Sequence, residues 1–273
     1  MEILRCCVRR CGQPLLPVNG HLRCDNGHQF DQTRQRFYSL VQPQDRKSSR
    51  AGDCDAAVNA RQRWIASGHC ASLIDTLKPL TEHYLRNSLG GVVDLGCGEG
   101  SFPNALFADF ADRFVGMDLS RRAIKMAARR WPDATWLWAN ADRPLPIQDD
   151  SVDLAMSLFG RRPVPEIARI LSPGGGCMVA IPGDDDLIEL RQIVQQTGER
   201  RSRWEKVSSQ FEQQGFRRVS HDRWTDRVIA TPTQAADALS MTYRGVRHAE
   251  QQRMMVNQPV EVTLSADILV FER

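Results

Sequence analysis

From residue 92 onward the chain alternates short apolar runs with stretches of helical rhythm. Val92-Val-Asp-Leu95, Phe114-Val-Gly-Met-Asp118, Thr135-Trp-Leu-Trp-Ala139, Val152–Leu158 and Cys177–Pro182 are compact, largely β-branched or aromatic segments and predict five strands. Between them, Ala105–Arg113, Arg121–Arg130 and Val164–Leu171 repeat apolar residues at three- and four-residue intervals and predict helices, the last stopped by Pro173-Gly-Gly-Gly176. Strands separated by helices imply a parallel sheet covered on both faces. Upstream, Ala56–Asn87 is helical in period, with a break near Gly68 and a kink or new first turn at Pro79. Downstream, a helix from Leu187, a helix over Thr233–Met241 and two strands, Val260–Leu264 and Asp267–Phe271, are predicted. Residues 1–40 follow another style, rich in Cys, Arg, Gly and Pro, and 41–55 form an irregular basic connector.

The chain of 273 residues accommodates one large α/β domain plus a small module. We divide it into a module at 1–40, a connector with helices at 41–85, and a main domain at 86–273. No apolar run approaches the length of a membrane span, and Met1–Arg10 lacks the apolar core of a signal peptide, so a cytoplasmic protein with no membrane partner is expected. The net charge of +3 is unevenly spread: the first fifty residues hold nine Lys/Arg against four acids, and the remainder is slightly acidic. A basic arm on an acidic body suits a polyanionic partner, although a solvated charged face would read the same way.

The strongest local signal is Val92-Val-Asp-Leu-Gly-Cys-Gly-Glu-Gly100. An apolar strand ends in Gly96-x-Gly98-x-Gly100, with Asp94 two residues before the first glycine. Glycines let the backbone turn tightly and approach a ligand. A second acid, Asp118, ends the next strand, where a carboxylate can accept from both hydroxyls of a ribose. A third, Asp142, follows the third strand and also reads as a turn or helix cap. The dinucleotide spacing G-x-G-x-x-G is absent, which weighs against NAD.

Four of the eight cysteines lie within the first 24 residues. Cys7-x3-Cys11 and Cys24-x3-His28 form two clips twelve residues apart, a donor set that favours zinc over disulfides in a chain without a secretory signal. Cys7, Cys11, Cys24 and His28 are the expected ligands. Cys6 is an alternative to Cys7, and His21 a spare. Four protein ligands leave no open position, so the ion would be structural.

The glycine segment with Asp94, Gly96, Gly98, Glu99 and Gly100 resembles motif I of class I S-adenosylmethionine methyltransferases. Together with the thiol clips, it makes the chain resemble the 23S rRNA guanine-N1 methyltransferases of the RlmA and TlrB kind. The similar stretches are Cys11-Gly-Gln-Pro-Leu15, Cys24–Asp31, Arg46-Lys-Ser-Ser-Arg50, Ala66-Ser-Gly-His69, Val93–Gly100, Leu145-Pro-Ile, Ile167–Gly175 and Pro232–Met241, spread over nearly the whole chain. The resemblance implies a Rossmann-like, mostly parallel seven-stranded sheet behind a small zinc-binding, RNA-recognising module. It also implies S-adenosylmethionine as cofactor, a structural Zn2+, methylation of a guanine N1 in a 23S rRNA hairpin loop, and a homodimer. Asp94 would face the methionine end of the cofactor, Asp118 the ribose, and Asp142 the adenine amino group. Cys70 and Asp186 stand where the family has a Tyr and a His beside the cofactor. The spacing Cys7-x3-Cys11 departs from the family's Cys-x-x-Cys, and the loop Ser157-Leu-Phe-Gly-Arg-Arg-Pro163 is unusual. There Arg161 and Arg162 are candidates for phosphate or base contacts, or plain surface charge, and Phe159 is a base-stacking candidate or a core residue. No general base is identified. The alternatives are a quinone- or sterol-type methyltransferase and a non-catalytic RNA-binding relative.

Overall fold

A computed structural model describes residues 3–42, 45, 52–86, 89–195, 202–241 and 256–273. Most of the connector, including Arg46-Lys-Ser-Ser-Arg50, lies outside the described residues, as does Asn87 at the expected end of the upstream helical stretch. Three short strands, β1 (Leu16–Val18), β2 (His21–Arg23) and β3 (Gln29–Asp31), make an antiparallel sheet at the N-terminus. A two-residue strand, β4 (Tyr38–Ser39), follows. Helices α1 (Asp55–Ala66) and α2 (Ala71–Leu85) form the upstream helical stretch, with the expected break. They are separated at Gly68, and Pro79 lies inside α2.

The alternating part then runs β5 (Gly91–Leu95), α3 (Ser101–Phe107), β6 (Phe114–Asp118), α4 (Arg121–Arg130), β7 (Thr135–Trp138), β8 (Val152–Leu158), α5 (Val164–Ile170) and β9 (Leu171–Pro182). Two spans differ from expectation. The helix expected at Ala105–Arg113 starts earlier and ends in a 3-10 turn at Ala108–Phe110. Strand β9 begins at Leu171, which pairs with Val152, and the Pro173–Gly175 segment bulges out before pairing resumes at Gly176 opposite Leu154. The C-terminal part holds α6 (Ile188–Gln195), α7 (Trp204–Glu212), β10 (Arg217–Ala230), α8 (Pro232–Ser240) and β11 (Val260–Glu272). Here the two expected C-terminal strands are one continuous strand.

Among the described residues one sheet has the order β10-β11-β9-β8-β5-β6-β7-β4. From β9 to β4 all neighbours are parallel, and β10 and β11 are antiparallel additions. The expected seven strands are therefore joined by an eighth from the N-terminal module. Tyr38 and Ser39 pair with Leu137 and Trp138, and Leu40 N–H donates to Trp138 O. All five residues of β5 are buried, as a central strand covered on both faces requires.

One apolar layer joins Val93, Leu95, Met117 and Leu137 to Ile3, Leu4, Leu15, Leu22 and Leu40 of the N-terminal segment. The opposite layer packs Leu73, Leu77, Phe107, Ile124, Trp131 and Trp136, and it takes in Phe37. The N-terminal segment thus straddles the sheet edge and shares the body's core. A third cluster, with Trp64, Leu190, Ala235, Leu239 and Leu264, joins α1, α6, α8 and the start of β11. Because β11 meets the end of β9 at Ala266–Pro182, residues 260–265 project past the carboxyl ends of the parallel strands. This third cluster therefore roofs that end. Arg63 of α1 clamps the roof by donating to both carboxylate oxygens of Asp237 in α8, at 2.9 and 2.5 Å.

Candidate cofactor cleft and metal centre

The chain runs outward from β5 through β6 to β7, then crosses back to β8 on the other side of β5. Such a reversal of strand order leaves a crevice at the strands' carboxyl ends, the usual ligand position in open α/β sheets. Asp94, the glycine turn and the loop after β8 all meet there. Gly160 lies so close to β5 that a Cβ on it would stand 2.6 Å from Leu95 O.

Gly100 ends the turn at φ 84°, and a Cβ there would meet Ala127 of α4 at 2.9 Å. A side chain is excluded on both counts, so the tight turn needs glycine at this position. Asp118 holds the turn from the next strand: its carboxylate accepts from Gly98 N–H at 3.0 Å and from Ser120 N–H at 2.7 Å. The two acids of the cleft are unequally satisfied. Asp94 is 2% exposed, and its Oδ1 is buried without a hydrogen-bond partner. Burial, and then the neighbouring Asp118 carboxylate, push Asp94 up to about 8. Burial also raises Asp118, opposed by its two N–H donors and by the Arg61 guanidinium. An orphaned buried carboxylate beside a second acid is costly unless a cation completes it. A ligand carrying a sulfonium and an ammonium group fits that requirement.

The mouth is covered from above by α1 and the residues before it. Gly52 packs on the Leu119–Ser120 backbone, Arg61 reaches Gly98 while pairing with Asp53 at 3.1 Å, and Asn59 accepts from Arg122. Arg61 carried no sequence signal, because it lies far from the glycine motif along the chain. On the roof side, Asp186 accepts from Ser265 N–H at 3.0 Å and is pushed up to about 7 by burial. It raises the Cys70 thiol, which burial drives to about 12. These two residues, 116 positions apart in the chain, are brought together.

Four expected residues have other partners. Glu99 is 2% exposed, but its carboxylate accepts from Ser101 at 2.9 Å and pairs with Arg130 at 3.0 Å, tying the turn to α4. Asp142 is exposed and ion-paired to Arg161 at 2.6 Å, so this arginine spans the loops after β7 and β8 instead of standing free for phosphate. Arg162 is half-buried, donates to Gly160 O, and is lowered by burial. Phe159, with φ 58°, is 42% exposed and is not a core residue.

At the N-terminus the side-chain donors of Cys6, Cys11, Cys24 and His28 lie within 4.8 Å of one another. His28 Nδ1 stands 3.5 Å from Cys6 Sγ and 3.4 Å from Cys24 Sγ, and Cys11 Sγ is 3.8 Å from Cys24 Sγ. Cys7, the expected ligand, is corrected to Cys6. The backbone pairing of Cys6 N–H with Gln13 O places the Cys6 thiol in the cluster. Adjacent residues in extended chain face opposite ways, so Cys7 Sγ sits 3.7 Å from Leu40 O and accepts from Gln42 instead. His21, the spare, pairs with Asp31 at 2.9 Å. The Cys11 thiol is lowered to about 6 by the Gln13 N–H, with Asn26 adding a second donor at 3.3 Å. Three thiols and an imidazole in this array suit a closed tetrahedral zinc site.

The comparisons agree with this geometry. Residues 92–175 match the family model described as a methyltransferase domain. The 23S rRNA (guanine(748)-N(1))-methyltransferase of Streptomyces fradiae is 35% identical over 196 residues, covering 70% of this chain and 67% of the relative. A Micromonospora griseorubida protein assigned as a 23S rRNA (guanine-N(1)-)-methyltransferase is 32% identical over 206 residues, covering 68% of each. Among solved structures, a Bacillus halodurans C-125 protein assigned as a methyltransferase superposes with a TM-score of 0.50 at 14% identity. It covers 71% of this chain and 97% of that one, a likeness of fold alone. Among the described residues no helix is long and apolar enough to cross a membrane.

Proposed function

Because the chain belongs to the 23S rRNA (guanine-N1)-methyltransferase family and is an S-adenosylmethionine-dependent methyltransferase, we propose that it methylates N1 of a guanine in a hairpin loop of 23S rRNA. In this reading residues 1–40 recognise RNA around a structural zinc, 41–85 connect and cover, and 86–273 carry the transfer in the cytoplasm. The observation that carries it is the unpartnered Asp94 carboxylate above the glycine turn, in the crevice between β5 and β8.

S-adenosylmethionine, when bound, supplies a methyl group already activated on sulfur, so the protein's work is placement and field. Asp94 answers the positive methionine end. Asp118, held by Gly98 and Ser120, presents its carboxylate to the ribose hydroxyls. Asp142 is the candidate adenine partner, and Arg161 must yield its hold on that carboxylate for the contact to form. Gly96, Gly98 and Gly100 keep the floor free of side chains, and Glu99 fixes the turn from behind through Arg130. Cys70 and Asp186 wall the far side.

The guanine N1 proton needs an acceptor, and Asp186 is the carboxylate whose value near 7 suits the task. It follows β9, which lies two strands from β5, at the same carboxyl end of the sheet as Asp94. The exposed Phe159 on the loop after β8 offers a ring on which a splayed base can stack.

The test is nucleoside mass spectrometry of 23S rRNA from cells with and without the gene. Loss of one 1-methylguanosine on deletion is the expected result. An unchanged nucleoside profile would remove the rRNA assignment.

A further inference from the structure

Helix α4 breaks a rule of helix electrostatics. Its ten residues carry Arg121, Arg122, Lys125, Arg129 and Arg130 and no acid. Arg121 and Arg122 occupy the first turn, where the helix dipole disfavours cations and acids are usual. At 100° per residue the five cations fall within about half of the helix circumference, opposite the buried Ala123, Ile124, Ala127 and Ala128. Only Arg130 has a carboxylate partner among the described residues, Glu99. Arg122 is held by the neutral Asn59, and Arg121 lies over the Trp138 ring at 5.5 Å. Lys125 and Arg129 have neither an acid nor an aromatic partner among the described residues, and Arg129 is exposed.

This face continues onto the N-terminal module. Phe37 is buried at 1% in the same apolar layer as Ile124, Ala127, Ala128 and Trp131. The turn before it, closed by Arg36 N–H to Thr33 O, lies at the sheet edge where α4 covers β7, with Arg34 and Arg36 exposed. Strand β4 then runs along β7, whose Trp138 carries Arg121. At its other end the helix starts at Ser120, which donates its N–H to the cleft residue Asp118. A row of cations thus leads from the module, along α4, to the lip of the cofactor cleft.

We propose that the outer face of α4, extended by Arg34 and Arg36, is a docking surface for the phosphodiester backbone of the RNA substrate. The inference rests on the RNA reading given above and adds the surface that guides the strand toward the cleft. Phosphates would neutralise cations that the protein itself leaves without acids, which explains the tolerated dipole conflict.

The experiment measures binding of the full-length protein to a full-length 23S rRNA transcript across a salt series. The variants are Lys125→Gln with Arg129→Gln, and Arg34→Gln with Arg36→Gln. Glutamine keeps helix propensity, and melting temperature and S-adenosylhomocysteine affinity report intact folding. Each lost phosphate contact should lower the slope of log affinity against log salt by about 0.7–0.9 and weaken binding about fivefold at 0.1 M salt. Arg203→Gln with Lys206→Gln, at the start of α7 across the sheet, should change neither. Wild-type binding with unchanged slopes in both α4 and module variants would overturn the docking surface. Weaker binding without any change of slope would overturn it too, because the contacts would not be to phosphate. A wild-type protein that binds S-adenosylhomocysteine but no transcript would instead fail the RNA reading itself, and this surface with it.

Discussion

Filling the cleft should expel a proton. Asp94 is buried, lacks a partner for Oδ1, and faces Asp118, so the empty protein keeps a proton on this acid pair at neutral pH. With a value of about 8 for Asp94, roughly 0.9 of that proton is bound at pH 7. A cationic ligand favours the carboxylate and releases it. Titration calorimetry with S-adenosylmethionine at pH 7, in phosphate and in Tris, should therefore give heats that differ by about 0.9 of the difference in buffer ionisation enthalpy.

The same displacement bears on stability. The native value lies above the ordinary 3.8, so the native state holds more protons than the unfolded state between those limits. Stability of the empty protein must then fall as pH rises from about 4 to about 8. At 1.36 kcal/mol per unit, Asp94 costs the empty fold up to about 4 kcal/mol at pH 7. Asp94→Asn should flatten that pH dependence and raise the melting temperature by several degrees, at about 2–4 °C per kcal/mol. It should also abolish proton release and weaken cofactor binding at least tenfold. Equal heats in the two buffers, or a variant that melts lower while still binding S-adenosylmethionine normally, would refute the reasoning.

Other consequences follow from individual contacts. Metal analysis of the purified protein should find zinc lost in Cys6→Ser and retained in Cys7→Ser, since only Cys6 joins Cys11, Cys24 and His28. Gly100→Ala should destabilise by about 2 kcal/mol or more in denaturant melts, combining a strained left-handed backbone with a 2.9 Å approach to Ala127. If Asp186 takes the N1 proton, methyl transfer should rise with pH through about 7 in the wild type, as the carboxylate form fills. The rise should vanish in Asp186→Asn with cofactor affinity kept within a fewfold.

Much of this was legible in the order of residues. Strands β5, β6, β7 and β8 announced themselves as short apolar runs, and the glycine turn and Asp94 fixed the crevice, because a buried central strand leaves little freedom of pattern. Helix α7 and strand β10 were not foreseen. Strand β10 is an edge strand with most residues exposed, so Arg217-Arg-Val-Ser-His-Asp-Arg223 shows no clean alternation, and its order comes from pairing with β11. The Cys6–Cys7 choice was invisible in spacing, since it depends on which of two adjacent side chains the backbone pairing with Gln13 turns inward. The Arg161–Asp142 pair and the cover made by Arg61 join distant segments, which no local pattern encodes. The sharing of one core by Leu4, Leu15 and Leu22 with β5 and β7 was hidden for the same reason.

The most direct measurement is methyl transfer by the purified protein from labelled S-adenosylmethionine to a 23S rRNA transcript, mapped by primer extension. A methyl group on guanine N1 blocks Watson–Crick pairing, so the expected result is one strong reverse-transcription stop beside a hairpin-loop guanine, absent with Asp94→Asn. Label incorporated without any stop, or a stop beside a base other than guanine, would contradict N1 methylation of that RNA.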